Sequence, residues 1–284
     1  MIGITGASGQ LGRLVIEQLL RQMPASEIVA LVRDPAKAAS LQAAGVHVRL
    51  ADYNRPDTLG PALAGVERLL LISSSEVGQR TPQHRAVIEA AQQAGVKLLA
   101  YTSLLHADTS PLPLAAEHKE TEALLKDSSL AHVILRNGWY LDNYLGLIPG
   151  AVQSGVLIGC AGEGRISAAA RADFALAAAT VLTRANQAGR VYELAGDESF
   201  TLTALAAEIS RQSGRPVAYQ NMPQAEHRAA LMEAGVPEFM ATVLAESDAG
   251  IAQGALFDDG RQLSKLIGRP STSLAMMVKA GLEQ

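Results

Sequence analysis

From the second residue onward, short apolar runs rich in Val, Ile and Leu alternate with Ala-rich stretches in which apolar residues recur every three or four positions. Few architectures accommodate that rhythm. Continuous apolar runs of four to six residues bounded by turn signals read as buried strands, and the intervening stretches as helices that cover them. The alternation predicts βαβ units and a parallel sheet. Strands are expected at Ile2–Thr5, Ile28–Val32, His47–Leu50, Arg68–Ser73, Lys97–Thr102, His132–Arg136 and Val191–Ala195, and helices at Gln10–Gln22, Pro35–Ala44, Thr81–Ala94, Ala115–Lys126 and Arg171–Thr183. Asp34 before Pro35 supplies a start signal, and Gly45 and Gly95 supply stops. Beyond Arg136 the rhythm breaks into a turn-rich stretch, Gly155–Gly164, and from Thr201 into helices punctuated by Gly, Pro and Ser. Two lobes are therefore expected: residues 1–149 with about 172–196, and about 150–171 with 197–284.

The most informative local motif is Gly6-Ala7-Ser8-Gly9-Gln10-Leu11-Gly12, which follows the first strand directly and opens the first helix. That context suits a dinucleotide phosphate. Gly6 permits the tight turn, Gly9 lets the backbone approach a pyrophosphate, and Gly12 lets the helix pack closely on the strand. The phosphates then face unpaired N–H groups at the positive end of the helix dipole. The fold class expected is α/β, a Rossmann-type doubly wound parallel sheet with a smaller, mainly helical second lobe. At the end of the second strand, Val32-Arg33 offers a cation for a 2′-phosphate. Asp34 is either an NAD-type acid for the ribose hydroxyls or the cap before Pro35, so NADPH is preferred over a weaker NADH. Asp52 after the third strand either faces the adenine edge or caps the following helix. Ser73, Ser74 and Ser75 place small hydroxyls where the fourth strand ends.

Net charge restricts the partners. Lys and Arg number 24 against 28 Asp and Glu, giving −4, so nothing drives binding to a phosphate backbone and nucleic acid is not expected. The single cysteine, Cys160, allows no internal disulfide and reads as a passive small residue of a reducing, cytoplasmic environment. No run of about 18 apolar residues is present, so no membrane span is expected. The six histidines show no metal-ligand spacing, and no metal is expected.

The stretches Gly6 to Gly12, Val32-Arg33, Tyr101-Thr102-Ser103, His118 to Glu122 and Arg136-Asn137-Gly138 resemble the NmrA-like, atypical short-chain dehydrogenase/reductase group. With Leu69–Arg80, Leu194–Asp197 and Leu263–Gly268 the likeness extends over essentially the whole chain, toward the quinone-reducing members of that group. Ordinary members of the superfamily carry a Tyr-x-x-x-Lys pair for proton delivery. Here His118 stands in the lysine's place, four residues before Glu122, and Leu114 stands in the tyrosine's. Reduction of a ketone, which creates a basic alkoxide, is thereby disfavoured. A small planar quinone does not need that acid, because its reduced anion is delocalised by aromatisation. The resemblance therefore implies direct hydride transfer from NADPH to a quinone without flavin or catalytic tyrosine. The alternatives are a non-catalytic redox sensor of NmrA type and a triphenylmethane dye reductase. It further implies that Asn137, Gly138 and Trp139 lie along the cofactor and that Asn143 and Tyr144 contact the substrate; Arg171, ahead of a helix, either reaches the cofactor or the substrate oxygen or forms a surface salt bridge. His118 and Tyr140 are the catalytic candidates, and the helical second lobe is a candidate homodimer surface.

Overall fold

The computed structural model describes residues 1–283. Among the described residues nine strands are formed: β1 Ile2–Ile4, β2 Ile28–Val32, β3 His47–Leu50, β4 Arg68–Leu71, β5 Leu98–Leu104, β6 His132–Asn137, β7 Val156–Gly159, β8 Val191–Leu194 and β9 Ala218–Asn221. Seven of them make one sheet in the order β3-β2-β1-β4-β5-β6-β8. The β1, β2, β3, β4, β5 and β6 pairings are parallel, so the doubly wound Rossmann-type sheet is the one expected. Strand order reverses between β2-β1 and β4, the place where such sheets open a crevice at their carboxyl ends.

The chain divides into two compact units. The first comprises residues 1–108, 114–137 and 171–192, and the second 109–113, 138–170 and 193–284. In the first unit β2 is buried along its whole length and β4 and β5 nearly so. Their side chains are packed by Val87, Ile88 and Ala91 of the helix Arg80–Gln93 and by Leu125 of the helix Ala115–Asp127. Burying each such side chain contributes about 1.5–3 kcal/mol. The Ala-rich helix Arg171–Thr183 runs against Gln10–Leu20 in this unit, small residues allowing close approach.

Boundaries between units differ from the sequence expectation at residues 109–113, 138–149 and 193–196 and at Arg171. Residues 138–149 join the second unit because Leu141, Tyr144, Leu145 and Ile148 pack against Leu205, Leu274 and Val278 of its own helices. Arg171 begins a helix of the first unit. The second unit is mainly helical but contains the small parallel pair β7–β9. The turn-rich reading of Gly155–Gly164 missed β7, which is four residues long, and its partner β9 is mostly exposed and carries no apolar pattern. Asp34 accepts a hydrogen bond from the Ala36 N–H at 3.0 Å, so capping is its structural role, and the predicted helix after it is a 3-10 turn Pro35–Ala38 continued by Ala39–Ala43. Among the described residues no helix is long and apolar enough to cross a membrane.

Candidate functional site

The backbone leaves β1 through Thr5 and turns sharply at Gly6, whose φ of +57° is left-handed and favours glycine. The Gly9 N–H closes the turn on the Gly6 carbonyl at 2.9 Å. Gly9 caps the helix Gln10–Leu20 without any side-chain hydrogen bond, and the first turn carries no acidic residue. The helix N-terminus is thus left open and electropositive, as an anion site requires. Gly12 makes the turn possible from below: a Cβ there would lie 2.5 Å from the Gly6 carbonyl oxygen and 2.7 Å from the Ala7 Cα. Arg13 braces the turn from outside, its Nε donating to the Ser8 carbonyl at 2.9 Å and its guanidinium to the Lys37 carbonyl at 2.8 Å.

A cleft of about 270 Å³ opens over this turn. Gly6, Ser8, Gly9, Gln10, Leu11, Gly12, Arg33, Asp52, Ser73, Ser74 and Ser75 all line it, so eleven of the expected cofactor residues converge from four segments. Ala7 lies fully buried behind the turn. Asn137 and Arg171 belong to the first unit but do not line this cleft, and Gly138 and Trp139 belong to the second unit.

Sequence inspection missed four further polar lining residues: Tyr53, Asn54, Glu76 and Gln83. The Tyr53 hydroxyl reaches the Thr5 hydroxyl at 2.5 Å and the Ile72 carbonyl at 3.0 Å, joining the ends of β1 and β4 beneath the cleft. Burial pushes the Tyr53 phenol well above its usual range, so it stays neutral. Arg33 pairs with Glu76 at 2.6 Å. Glu76 also accepts from Asn54 at 3.1 Å and Gln83 at 2.8 Å, and these bonds, Asn54 first, lower its pKa and keep it ionised. Asp52 lines the cleft and accepts the Asn54 N–H at 3.0 Å within its own turn, and it does not cap the following helix Pro56–Thr58, whose N-cap is Arg55.

His118 requires a correction. It is 5% exposed and does not line the cleft. Its Nε2 lies 3.2 Å from the Arg80 guanidinium, which can only donate, so Nε2 is the acceptor and Nδ1 carries the proton. Nδ1 then donates to the Tyr101 hydroxyl oxygen at 2.7 Å. Both ring nitrogens are engaged inside the first unit, and neither is left to protonate a substrate or hold a ribose. His84 is arranged alike: its Nε2 accepts the Ser74 N–H at 2.9 Å, which forces Nδ1–H to donate to Thr121 at 2.9 Å. Arg80 meanwhile donates to the Ser74 carbonyl at 2.6 Å. The two histidines and Arg80 hold the serine loop of the cleft from behind.

Burial, assisted by the Arg80 charge, pushes both His84 and His118 down to about 3. Unfolded, each titrates near 6.5. The folded chain therefore binds fewer protons than the unfolded chain between these values, and stability falls as pH drops from about 6.5 toward 3, by up to about 2 kcal/mol per histidine at pH 5. Urea unfolding at pH 7 and pH 5 should show this loss, and His118→Asn should remove about half of it. An unchanged pH slope in the variant would refute the assignment.

The remaining candidates lie in the second unit. Tyr140 is half-buried and bridges to Ala169 through its backbone, while Asn143 is exposed. Tyr144 is buried, with its ring edge-on to Phe200 at 6.1 Å, so it serves the core of this unit. Its hydroxyl and the Trp139 indole nitrogen have no hydrogen-bond partner, although the indole is close enough to favour the Tyr144 phenolate. Burial and the nearby Asp248 charge nevertheless hold the Tyr144 phenol well above its usual range. The blocks Leu194–Asp197 and Leu263–Gly268 also meet within this unit: Asp197 accepts from the Ser264 hydroxyl at 2.5 Å and from the Ser271 N–H at 2.9 Å.

The NAD(P)H-binding family model matches residues 6–184, from the first glycine of the turn to the end of the helix Arg171–Thr183. The chain belongs to that family. Within it, quinone oxidoreductase 2 of Escherichia coli (strain K12) is 60% identical over 98% of this chain and 97% of its own. The crystal structure of the E. coli NADPH-dependent quinone oxidoreductase complexed with NADPH superposes with a TM-score of 0.97 at 59% identity, covering 100% of both chains. Triphenylmethane reductase of Citrobacter sp., complexed with NADP(H), follows at 39% identity, with a TM-score of 0.96 over 99% of this chain and 100% of its own. A mutant NmrA shares the fold alone, at 16% identity and a TM-score of 0.79.

Proposed function

We propose that this member of the NAD(P)H-binding family is an NADPH-dependent quinone oxidoreductase in which hydride passes directly to a small planar quinone, with neither flavin nor metal on the hydride path. The observation that carries the cofactor reading is Arg33 lining the same cleft as the open N-terminus of the helix Gln10–Leu20. The residues fit a dinucleotide: the glycine turn receives the pyrophosphate, Arg33 the 2′-phosphate, and Asp52 and Ser73 to Ser75 the adenosine and ribose edges. Asn137, Gly138, Trp139 and Arg171 are proposed along the remainder of the cofactor.

When bound, the reduced nicotinamide supplies the hydride. The chain's own work is to orient the donor and exclude water. No tyrosine stands four residues before His118, and His118 itself has no proton to give a substrate. A quinone suits this arrangement, because the anion left after hydride transfer is delocalised over the aromatic ring and takes its proton from water. Tyr140 and Asn143 are proposed as the half-buried ring and exposed amide that meet the acceptor, with the Tyr144 hydroxyl behind them. The identity to quinone oxidoreductase 2 over nearly the full length of both chains supports the quinone reading. A cytoplasmic location goes with it.

Steady-state oxidation of NADPH and NADH, with benzoquinones and a triarylmethane dye as acceptors and no added flavin, tests this. Fast quinone-dependent NADPH oxidation is expected, with Arg33→Ala lowering kcat/KM for NADPH about 10- to 100-fold, the worth of one charge-assisted contact, and leaving NADH nearly unchanged. Equal losses with both nucleotides would remove the phosphate assignment. Faster turnover with the dye than with any quinone would favour the dye reductase. Tight NADPH binding with no turnover would make the protein a sensor.

A further inference from the structure

Cys160, His227 and Asp248 are separated by 67 and 21 positions in sequence, yet their ligand atoms all lie within 4.8 Å of one another. All three belong to the second unit, and none lines the nucleotide cleft. Cys160 directly follows β7, His227 sits on the helix Gln224–Glu233, and Asp248 on the helix Glu238–Ala252.

Two of the three groups are held in place by contacts that leave their ligand atoms facing the cluster. Asp248 Oδ2 accepts the Cys160 N–H at 3.1 Å, and Gly159 clears room for it: a Cβ there would be 2.9 Å from that same oxygen. His227 is 95% buried, and its Nδ1, 3.5 Å from Asp248 Oδ2, makes no hydrogen bond at all. A buried ring nitrogen without a partner is costly and calls for an occupant. The Nδ1–Oδ2 separation matches the edge of a tetrahedron whose metal–ligand distances are about 2.0–2.2 Å, an edge of about 3.4 Å.

We propose that Cys160, His227 and Asp248 bind one borderline-soft divalent cation of the zinc class, with the fourth position open to water. One thiolate, one imidazole and one carboxylate is a donor set that suits zinc and cobalt and does not suit magnesium or calcium. Binding forms a sulfur–metal bond and breaks the S–H bond, and the thiol proton, which now points at the Ala245 carbonyl at 3.3 Å, leaves to the buffer. No electron is transferred. The ion ties the end of β7 to two helices of the second unit, a structural role separate from hydride transfer. The spacing of 67 and 21 residues lies outside every short metal motif, which is why the sequence pattern predicts no metal.

The test uses chelator-treated full-length protein and Zn²⁺ or Co²⁺ alone. One equivalent of Co²⁺ should give a thiolate-to-metal absorption band and the visible bands of a tetrahedral site, Zn²⁺ should abolish them, and Zn²⁺ should raise Tm. His227→Ala, Asp248→Asn and Cys160→Ser should each weaken binding by more than about 100-fold, since even loss of an outer-shell partner costs 10- to 100-fold. Co²⁺ bound without a thiolate band, or Zn²⁺ affinity unchanged in these variants, assigns the ion to surface histidines and overturns the site. Should the variants fail to fold, alkylation of Cys160 in the wild-type chain decides: protection by Zn²⁺ supports the site, and no protection overturns it.

Discussion

Gly12→Ala should destabilise the protein by about 2–3 kcal/mol, at the upper end of overpacking effects, and raise the dissociation constant for NADPH at least tenfold. The added methyl would meet the Gly6 carbonyl oxygen at 2.5 Å and the Ala7 Cα at 2.7 Å. Both are backbone atoms, so no flexible side chain can swing away, and only movement of the turn relieves the clash. That movement carries the helix N-terminus off the line proposed for the phosphates. Urea unfolding reads the first effect and fluorescence titration with NADPH the second. Gly9→Ala serves as a graded comparison, since its Cβ would stand 3.1 Å from the Gly6 oxygen. Wild-type NADPH affinity in Gly12→Ala would show that the turn is not the phosphate cradle.

Glu122→Ala is expected to cost about 3 kcal/mol or more, because it strands a buried cation. Arg136 is 8% exposed, and Glu122 receives it on both oxygens, from Nε at 2.9 Å and from the terminal nitrogen at 2.7 Å, while also accepting the Ser103 hydroxyl at 2.6 Å. Another partner of Arg136, Asp108 at 3.0 Å, has an exposed side chain and is screened by water. Asp108→Ala should therefore cost under about 1 kcal/mol. Removing both members of the central pair, as Glu122→Leu with Arg136→Met, should recover much of the loss, since most of it comes from leaving one charge unpaired. Thermal and urea unfolding of the three variants measure this. A double variant no more stable than Glu122→Ala would mean that the pair contributes through packing instead.

Arg136 illustrates what sequence alone can and cannot give. Its place at the end of a strand was legible from the apolar run before it, but Glu122 lies 14 residues away on the preceding helix and only the fold joins them. The parallel strands were readable to within a residue or two because a buried strand must be continuously apolar. The glycine turn was readable because the backbone itself imposes the residue type. Glu76 and Gln83 left no comparable trace: each enters the cleft from a different loop or helix, and nothing in their spacing from Arg33 encodes the meeting. His118 failed for a related reason. Position on the helix placed it correctly, whereas its role was decided by Arg80, 38 residues earlier, which occupies Nε2 and so dictates the tautomer.

The Arg33–Glu76 pair gives the cleft a property of an ion exchanger. Arg33 is already neutralised by a carboxylate that Asn54 and Gln83 hold in its charged form. With Arg33 as the proposed 2′-phosphate site, an incoming phosphate would trade places with a resident counterion instead of meeting a bare cation. The gain for NADPH over NADH is then the difference between two anions on one guanidinium, smaller than the full attraction and less sensitive to salt. On that proposal the cleft would discriminate between the two nucleotides moderately, and a departing phosphate would leave behind an arginine whose replacement partner, Glu76, is tethered within reach.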